Sequence, residues 1–304
     1  MKEQIIIPLI QTERLNHLPR QIFADLDIAE NTRKDYASRI GRFFRFIGNN
    51  QLTPNSFLEY KRHLSSIDTL SVSTKNKYLI SAKVFLDSLY RMQLIPIRIT
   101  DNIRSFSQSR MHKKDGLNDN DIVKIQDYTS TLPDTDKNLR LKAILSLLIF
   151  QGLRQIEIIR LNIEDIDLKN KSAYIRGKGR DDKERIYLHP HSVKILRDYL
   201  SMHRFRSGAL FRSQSNHANG NRLTTKSIRE EIKRLFDLLQ IDGSTHGFRH
   251  YFITKLIRSY KGELLMVSKY SRHRSIQMLE VYNDEIIREE DLPRYYEVFN
   301  NISI

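Results

Sequence analysis

The stretch STHGFRHYFIT, residues 244–254, places His246 and Arg249 three positions apart, just ahead of an apolar run. On a helix, positions i and i+3 share a face. An imidazole and a guanidinium there can converge on one phosphate, the arginine through two parallel donors and the histidine through one. Taken alone the pair is ordinary, because basic residues at a helix start are commonly just solvated. Three other stretches carry comparable groups. In QGLRQIEIIR, Arg154 follows a Gly-Leu turn and Glu157 lies one turn later, which by itself reads as an intrahelical ion pair. In RGKGR, Lys178 sits near a Gly-rich turn tip, where a lysine is usually solvated. In YSRHRSIQMLEVYND, His273 precedes Tyr282 by nine residues. A tyrosine between Leu279 and Val281 is most often a core residue with its hydroxyl at the surface, yet a phenol is also a usable covalent nucleophile.

These groups must be held by the elements around them. Pro8 and Pro19 break any regular pattern in residues 1–25, which read as an irregular arm. Helical spacing follows. NTRKDYASRIGRFFRFIGNN puts Tyr36, Ile40, Phe43, Phe44 and Ile47 on one face, with Asn31 or Thr32 as the cap. TPNSFLEYKRHLSS predicts a second helix with Thr53 as N-cap and Pro54 at the first position. A longer third helix, from Ser71, stops before Pro96. Residues 26–106 therefore form an all-helical domain, whose exposed faces are expected to carry Arg33, Lys34, Arg42, Lys75 and Lys77.

SQSRMHKKDG, residues 107–116, has cations, including Lys113 and Lys114, and no apolar period; it reads as a linker. Beyond it, Asn118 caps a new helix, and a buried helix, a turn at Gly152 and a second helix follow. SAYIRGKGRDDKERIYLHP, with residues alternating about a Gly-rich centre, is a β-hairpin signature. Helices return from Val193. The second domain, residues 117–304, is thus mainly α with a small sheet. Leu292, Tyr295, Tyr296, Phe299 and Ile302 recur at helical spacing, giving an apolar stripe that runs on past Pro293.

Composition narrows the partner. The 304 residues carry 51 Lys+Arg against 36 Asp+Glu, a net charge of +15. Of this, +8 falls in residues 1–115 and +7 in the rest, so both parts are basic and suited to holding a polyanion. With 39% hydrophobic residues a core can be buried, and with no cysteine there are neither disulfides nor thiolate metal sites. His-Glu-x-x-His is missing too, which argues against a metalloenzyme. No apolar run approaches the roughly 18 residues of a membrane span, and the first residues are too short an apolar run for a signal peptide. The expected location is the cytoplasm of a prokaryotic cell, at the nucleoid.

Read in order, the groups are Arg154, Lys178, His246-x-x-Arg249, His273 and Tyr282. That order resembles the tyrosine recombinases, the integrase family. GLRQIEI is similar to the family's Gly-Leu-Arg-x-x-Glu box, GKGRDDKERIYLHP to its catalytic-lysine hairpin, HGFRH to its His-x-x-Arg-His box, and RHRSIQMLEVYND to its His-to-Tyr terminal box. The resemblance covers about residues 30–290. It implies a helical, SAM-like core-binding domain and a mixed α/β catalytic domain that form a C-shaped clamp around DNA. It implies that Tyr282 attacks a DNA phosphodiester, giving a 3′-phosphotyrosine and a free 5′-hydroxyl. Arg154 and Arg249 then hold the non-bridging oxygens, Lys178 protonates the leaving oxygen, His246 assists proton transfer from the tyrosine and His273 hydrogen-bonds the phosphate. Glu157 orients a neighbouring side chain. No cofactor or metal is needed. Three positions depart from the family pattern: Ser271-Arg272 stands where a Gly is usual before the last histidine, Gly247 where an acidic residue is frequent, and Gln151 where a Thr is usual.

The implied partners are double-stranded DNA, at a site made of inverted repeats, and further copies of the chain, assembled to a tetramer through a C-terminal exchange segment, residues 286–304. A topoisomerase of type IB shares the covalent step without strand exchange. A non-catalytic DNA-binding protein would be expected to have lost one of the six groups.

Overall fold

The computed structural model describes residues 18–48, 50, 52–108, 116–177, 179–202, 206–214, 220–273 and 275–298. Most of the expected arm, Lys113, Lys114, Lys178, Phe299 and Ile302 lie outside the described residues. The chain divides into two compact units, Met1–Ser109 and Arg110–Ile304.

The first unit holds α1 (Leu18–Ala24), α2 (Glu30–Ile47), α3 (Ser56–Ser65) and α4 (Val72–Arg91). Its core is built from the period read in the sequence: Ile40, Phe43 and Ile47 of α2 are buried with Phe57, Tyr60 and Leu64 of α3 and Phe85, Leu86 and Leu89 of α4. Edge-on aromatic pairs lock it, Phe43 on Tyr60 at 5.0 Å and Phe44 on Phe85 at 5.2 Å between centroids.

Four local expectations are corrected here. Residues 18–24 are helical, not irregular; Pro19 falls in the first turn, where its missing N–H has no helical partner to lose. Their Ile22 and Phe23 are buried in the core, which supplies the reason for the helix. Neither Asn31 nor Thr32 caps α2. The helix starts at Glu30 behind Ala29, without a side-chain cap, and Glu30 pairs with Lys34 across its first turn. Thr53 is not the N-cap of α3. It opens a turn through Pro54 in which its hydroxyl accepts from the Asn55 N–H, and Asn55 takes the cap position. Finally, α4 ends at Arg91. Gln93 adopts a positive φ of 58° and the Leu94 N–H closes back on the Leu89 carbonyl at 3.0 Å, which turns Ile95 into the core.

The second unit contains α5 (Asp119–Thr131), α6 (Asp136–Gln151), α7 (Gln155–Arg160), a 3₁₀ turn (Ile163–Asp165), strands β1 (Ile166–Asp167), β2 (Ser172–Ile175) and β3 (Glu184–Tyr187), then α8 (Pro190–Met202), α9 (Thr225–Leu239), α10 (Thr245–Ser259), α11 (Leu264–Ser271) and α12 (Gln277–Glu297). The strands form an antiparallel sheet in the order β1-β2-β3, with Ile175 opposite Glu184. Asn118 caps α5 as read: its side chain accepts from the Asp121 N–H, and Asp121 accepts from the Asn118 N–H, both at 3.0 Å. The central element is α6. Leu139, Ala143, Ile144, Leu147 and Leu148 are all buried, so it is apolar around most of its circumference and serves as the post on which α8 and α10 pack.

The end of the chain differs from its sequence pattern. Helix α12 passes through Pro293 without a break, so the apolar stripe does not begin a new element. Ile286 is buried in the cluster around Tyr282, and the exposed part of the segment begins after it: Ile287, Leu292, Tyr295, Tyr296 and Val298 are all exposed. No helix among the described residues is long and apolar enough to cross a membrane.

Candidate active site

The geometry starts at Gly152. It ends α6 in the left-handed region, φ 55° and ψ 32°, and a Cβ there would lie 2.3 Å from the Phe252 ring. Only glycine fits both constraints. The turn does two things. It makes Arg154 the residue before α7, and it aims the Gly152 carbonyl inward as an acceptor.

Arg249, on α10, is 2% exposed and donates to that carbonyl through Nη1 at 2.8 Å and to the Ser271 carbonyl through Nη2 at 2.6 Å. The fork is thereby fixed by two main-chain oxygens from two different elements. Burial, with the charges of Arg154 and Arg272 added, lowers its pKa to about 9. A cation made this uncomfortable is one that a bound anion would stabilise.

Arg154 keeps its backbone N–H on Glu157 Oε2 (2.8 Å) and its Nη1 on Glu157 Oε1 (2.9 Å). The Arg154–Glu157 pair therefore exists, but as a cap contact to the first turn of α7 and not within the helix, and it leaves the rest of the guanidinium fork uncommitted to Glu157. Glu157 is almost fully buried, at 1%. Burial alone would raise its pKa, but the charge of Arg272 and the bonds from Arg154 outweigh it and hold the carboxyl below its ordinary range. Its contribution to stability is thus present above the usual glutamate range and lost as pH falls through the depressed folded value.

His273 lies between α11 and α12. Its Nδ1 is 2.8 Å from Ser271 Oγ and its Nε2 is 3.5 Å from Arg249 Nη2. The two ring nitrogens thus face a serine hydroxyl on one side and a guanidinium on the other. Burial, then the charges of Arg249, Arg154, Arg272 and His246, lower its pKa to about 3. At neutral pH the ring is uncharged.

His246 and Arg249 share a face of α10 as the spacing required, but their environments differ: Arg249 is buried and His246 is exposed. Tyr282, on α12, is 6% exposed, its ring packed with Ile253, Ile257, Val267 and Leu279. Its hydroxyl is 3.4 Å from His250 Nε2, and the His250 ring meets the edge of His246 at 5.4 Å. The core reading of the tyrosine ring holds, and its hydroxyl lies beside a titratable group.

Two residues escaped the sequence reading. His250 was quoted as part of its box but given no role; its position, four beyond His246 on one helix face, was the available signal. Arg272 stands out in the sequence only as a departure from the family pattern. It is buried, with Nη1 on the Gln151 carbonyl (3.1 Å) and Nη2 on Gly152 O and Glu157 Oε2 (both 3.4 Å). Nothing in the spacing marks that, because Gln151, Gly152 and Glu157 are more than a hundred residues away.

A sequence profile described as the phage integrase family matches residues 116–287, more than half of the chain. The chain belongs to the phage integrase family. Integrases of this family are tyrosine recombinases, and the relatives agree. Tyrosine recombinase XerC of Leptospira interrogans is 24% identical over 291 residues, which span 90% of this chain and 91% of the relative. XerC of Shewanella amazonensis is 27% identical over 280 residues, 82% of this chain and 91% of the relative. Among solved structures, XerH site-specific recombinase bound to a palindromic difH substrate superposes with a TM-score of 0.71 at 19% identity, covering 96% of this chain and 85% of that one. The fold is that of the integrases, and the activity is that of a tyrosine site-specific recombinase.

The expected DNA contacts of the first unit are less uniform than their sequence suggested. Lys34 and Lys77 are exposed. Arg33, Arg42 and Lys75 are half-buried: Arg42 lies over the Tyr78 ring at 4.8 Å, and Lys75 donates to the Ser65 carbonyl at 2.8 Å.

Proposed function

We propose that this integrase cuts and rejoins DNA at a specific site through a 3′-phosphotyrosyl bond to Tyr282. The observation that carries this is the convergence of Arg249, Arg154 and His273, from three separate parts of the chain, on one buried cationic centre with a tyrosine hydroxyl on the adjoining helix. Tyr282 Oη attacks the phosphorus in line, and the P–O5′ bond breaks. The tyrosine proton passes to an imidazole; His250 lies at the hydroxyl and His246 stands beside it. The two arginines stabilise charge on the non-bridging oxygens as it develops. His273, kept neutral first by burial and then by the cations around it, stands beside Arg249 where its ring can meet a bound phosphate. The phosphotyrosine conserves the bond energy, so a 5′-hydroxyl from another strand reseals it.

Lys178 is the proposed general acid for the 5′-oxygen. Its neighbours support the assignment by exclusion. Arg180 is paired with Glu184 and Lys183 with Asp165, so both rivals in the hairpin are committed to carboxylates. A substrate with a 5′-bridging phosphorothiolate has a leaving group that needs no proton. It is expected to restore cleavage to Lys178→Ala but not to Arg154→Ala. Rescue of Lys183→Ala in place of Lys178→Ala would move the assignment to Lys183.

The partner is double-stranded DNA carrying inverted half-sites, handled in the cytoplasm by four copies of the chain. The exposed apolar end of α12 is proposed to dock on a neighbouring copy. The second unit offers an apolar groove of about 720 Å³, lined by Ile122, Ile125, Ile149, Phe150, Phe252 and Lys255.

The test begins with the DNA that co-purifies covalently with the protein, whose sequence gives the site and the cleavage position. A nicked version of that site is then incubated with protein in EDTA without ATP. A denaturation-resistant adduct is expected, because arginines occupy the role that Mg²⁺ takes in a nuclease. Cleavage that vanishes in EDTA and returns with Mg²⁺ would overturn the mechanism.

A further inference from the structure

Arg272 is the residue that least fits its place. Its backbone is left-handed, φ 58° and ψ 39°, at the end of α11. For a side chain other than glycine that conformation costs about 1 kcal/mol, and a buried guanidinium costs more unless it is well paired. Its side chain is only 6% exposed. Such a residue persists where its contacts repay the strain.

Those contacts join three parts of the site. Nη1 and Nη2 hold the Gln151 and Gly152 carbonyls, so Arg272 and Arg249 grip the same α6–α7 turn, Gly152 O accepting from both. Nη2 also pairs with Glu157, the carboxylate that holds Arg154. Nε faces Glu184 at 3.8 Å, at the start of β3, and Glu184 in turn pairs with Arg180 near the hairpin tip. A chain of alternating charge therefore runs Arg154–Glu157–Arg272–Glu184–Arg180. Its middle member is the residue directly before His273.

We propose that Arg272 is a positioning residue, which shares Glu157 with Arg154 and ties the β2–β3 hairpin and the His273 loop to the Gly152 turn, so that the phosphate-binding groups and the hairpin keep one register. Sharing matters because two guanidiniums divide one carboxylate. With Arg272 gone, Glu157 is balanced by Arg154 alone and draws that guanidinium away from the phosphate. A lysine cannot replace it, since a single ammonium has no planar fork with which to reach two carbonyls and two carboxylates at once.

This role rests on the strand-transfer chemistry proposed above, and the same gel separates the two. Adduct formation by the unaltered chain reports the chemistry, and the rates of the variants report Arg272. Arg272→Gly suits the test because glycine accepts the left-handed backbone without strain. With half-site binding and the thermal unfolding midpoint measured in parallel, Arg272→Gly is expected to bind a half-site within about twofold. It should form adduct about 30- to 100-fold more slowly, the scale on which small misplacements of reacting groups act. Glu157→Gln is expected to slow cleavage as well. The double variant should be no slower than Arg272→Gly, because both changes act on one carboxylate and their effects do not multiply. Should the glycine variant fail to fold, Arg272→Lys serves in its place, with an expected loss of about tenfold. Cleavage by a folded Arg272→Gly within about threefold of the unaltered chain, a full-rate Arg272→Lys, or losses that multiply in the double variant would each overturn the proposal, in the last case by reducing Arg272 to packing.

Discussion

Tyr282→Phe is expected to abolish the covalent protein–DNA adduct altogether while changing half-site affinity by less than about twofold. The reasons lie in how the residue is held. Its ring fills the cluster of Ile253, Ile257, Val267 and Leu279, and phenylalanine keeps that ring. The hydroxyl lies 3.4 Å from His250 Nε2, and a bond of that kind is worth about 1 kcal/mol or less. The fold should therefore survive. Affinity should survive too, because the proposed binding rests on cations meeting phosphates rather than on this hydroxyl, and it should fall with added salt to the same degree as in the unaltered chain. Chemistry has no substitute, since no other group is proposed to attack. The check is a nicked substrate and a denaturing gel. An adduct that persists in Tyr282→Phe would identify a different nucleophile, and a variant that neither binds nor folds would show that the hydroxyl serves structure first.

Deletion of residues 290–304 should have the next largest effect, on assembly rather than on chemistry. The segment removed carries Leu292, Tyr295, Tyr296 and Val298, which are 36% to 69% exposed on the far end of the helix that bears Tyr282. Large apolar side chains lined up on one helix end and left in water mark a surface for a partner. The part of α12 that belongs to the core, including Leu279, Tyr282 and Ile286, is retained. Arg258 loses Glu290 but keeps Glu289, and exposed pairs of this kind contribute little. The truncated chain is thus expected to fold, bind a single half-site and form adduct on it. It should lose cooperative occupation of a full site, and recombination with it. Gel shifts on half and full sites, alongside a recombination assay, decide the matter: unchanged cooperativity and unchanged recombination would show that the tail does not link the protomers. Because α12 is continuous, docking of its end on a neighbour would also bear directly on where Tyr282 stands.

How much of this could be read without coordinates depends on the range of the interaction concerned. The helices of the first unit follow from a period of apolar residues, and the Asn118 cap and the Gly152 turn follow from local backbone chemistry: a side-chain acceptor for a free N–H in one case, a left-handed conformation that favours glycine in the other. The groups proposed for the site were nameable from sequence because their order along the chain resembles an integrase, and the family is the part of that reading the comparison shows. Helix starts were legible only approximately. Burial of Ile22 and Phe23 made a helix where Pro19 suggested an arm, and Thr53 spent its hydroxyl on a turn instead of a cap. What tertiary structure alone decided is which charges face one another. Arg272 stands beside His273 in sequence, yet its partners are at Gln151, Gly152, Glu157 and Glu184, and no spacing rule reaches across those distances. The same holds for the difference between His246, exposed, and Arg249, buried and fixed by two carbonyls. Residue type and period are properties of a short segment, whereas burial and ion pairing are properties of the packed chain, and the charge network of this site belongs to the second kind.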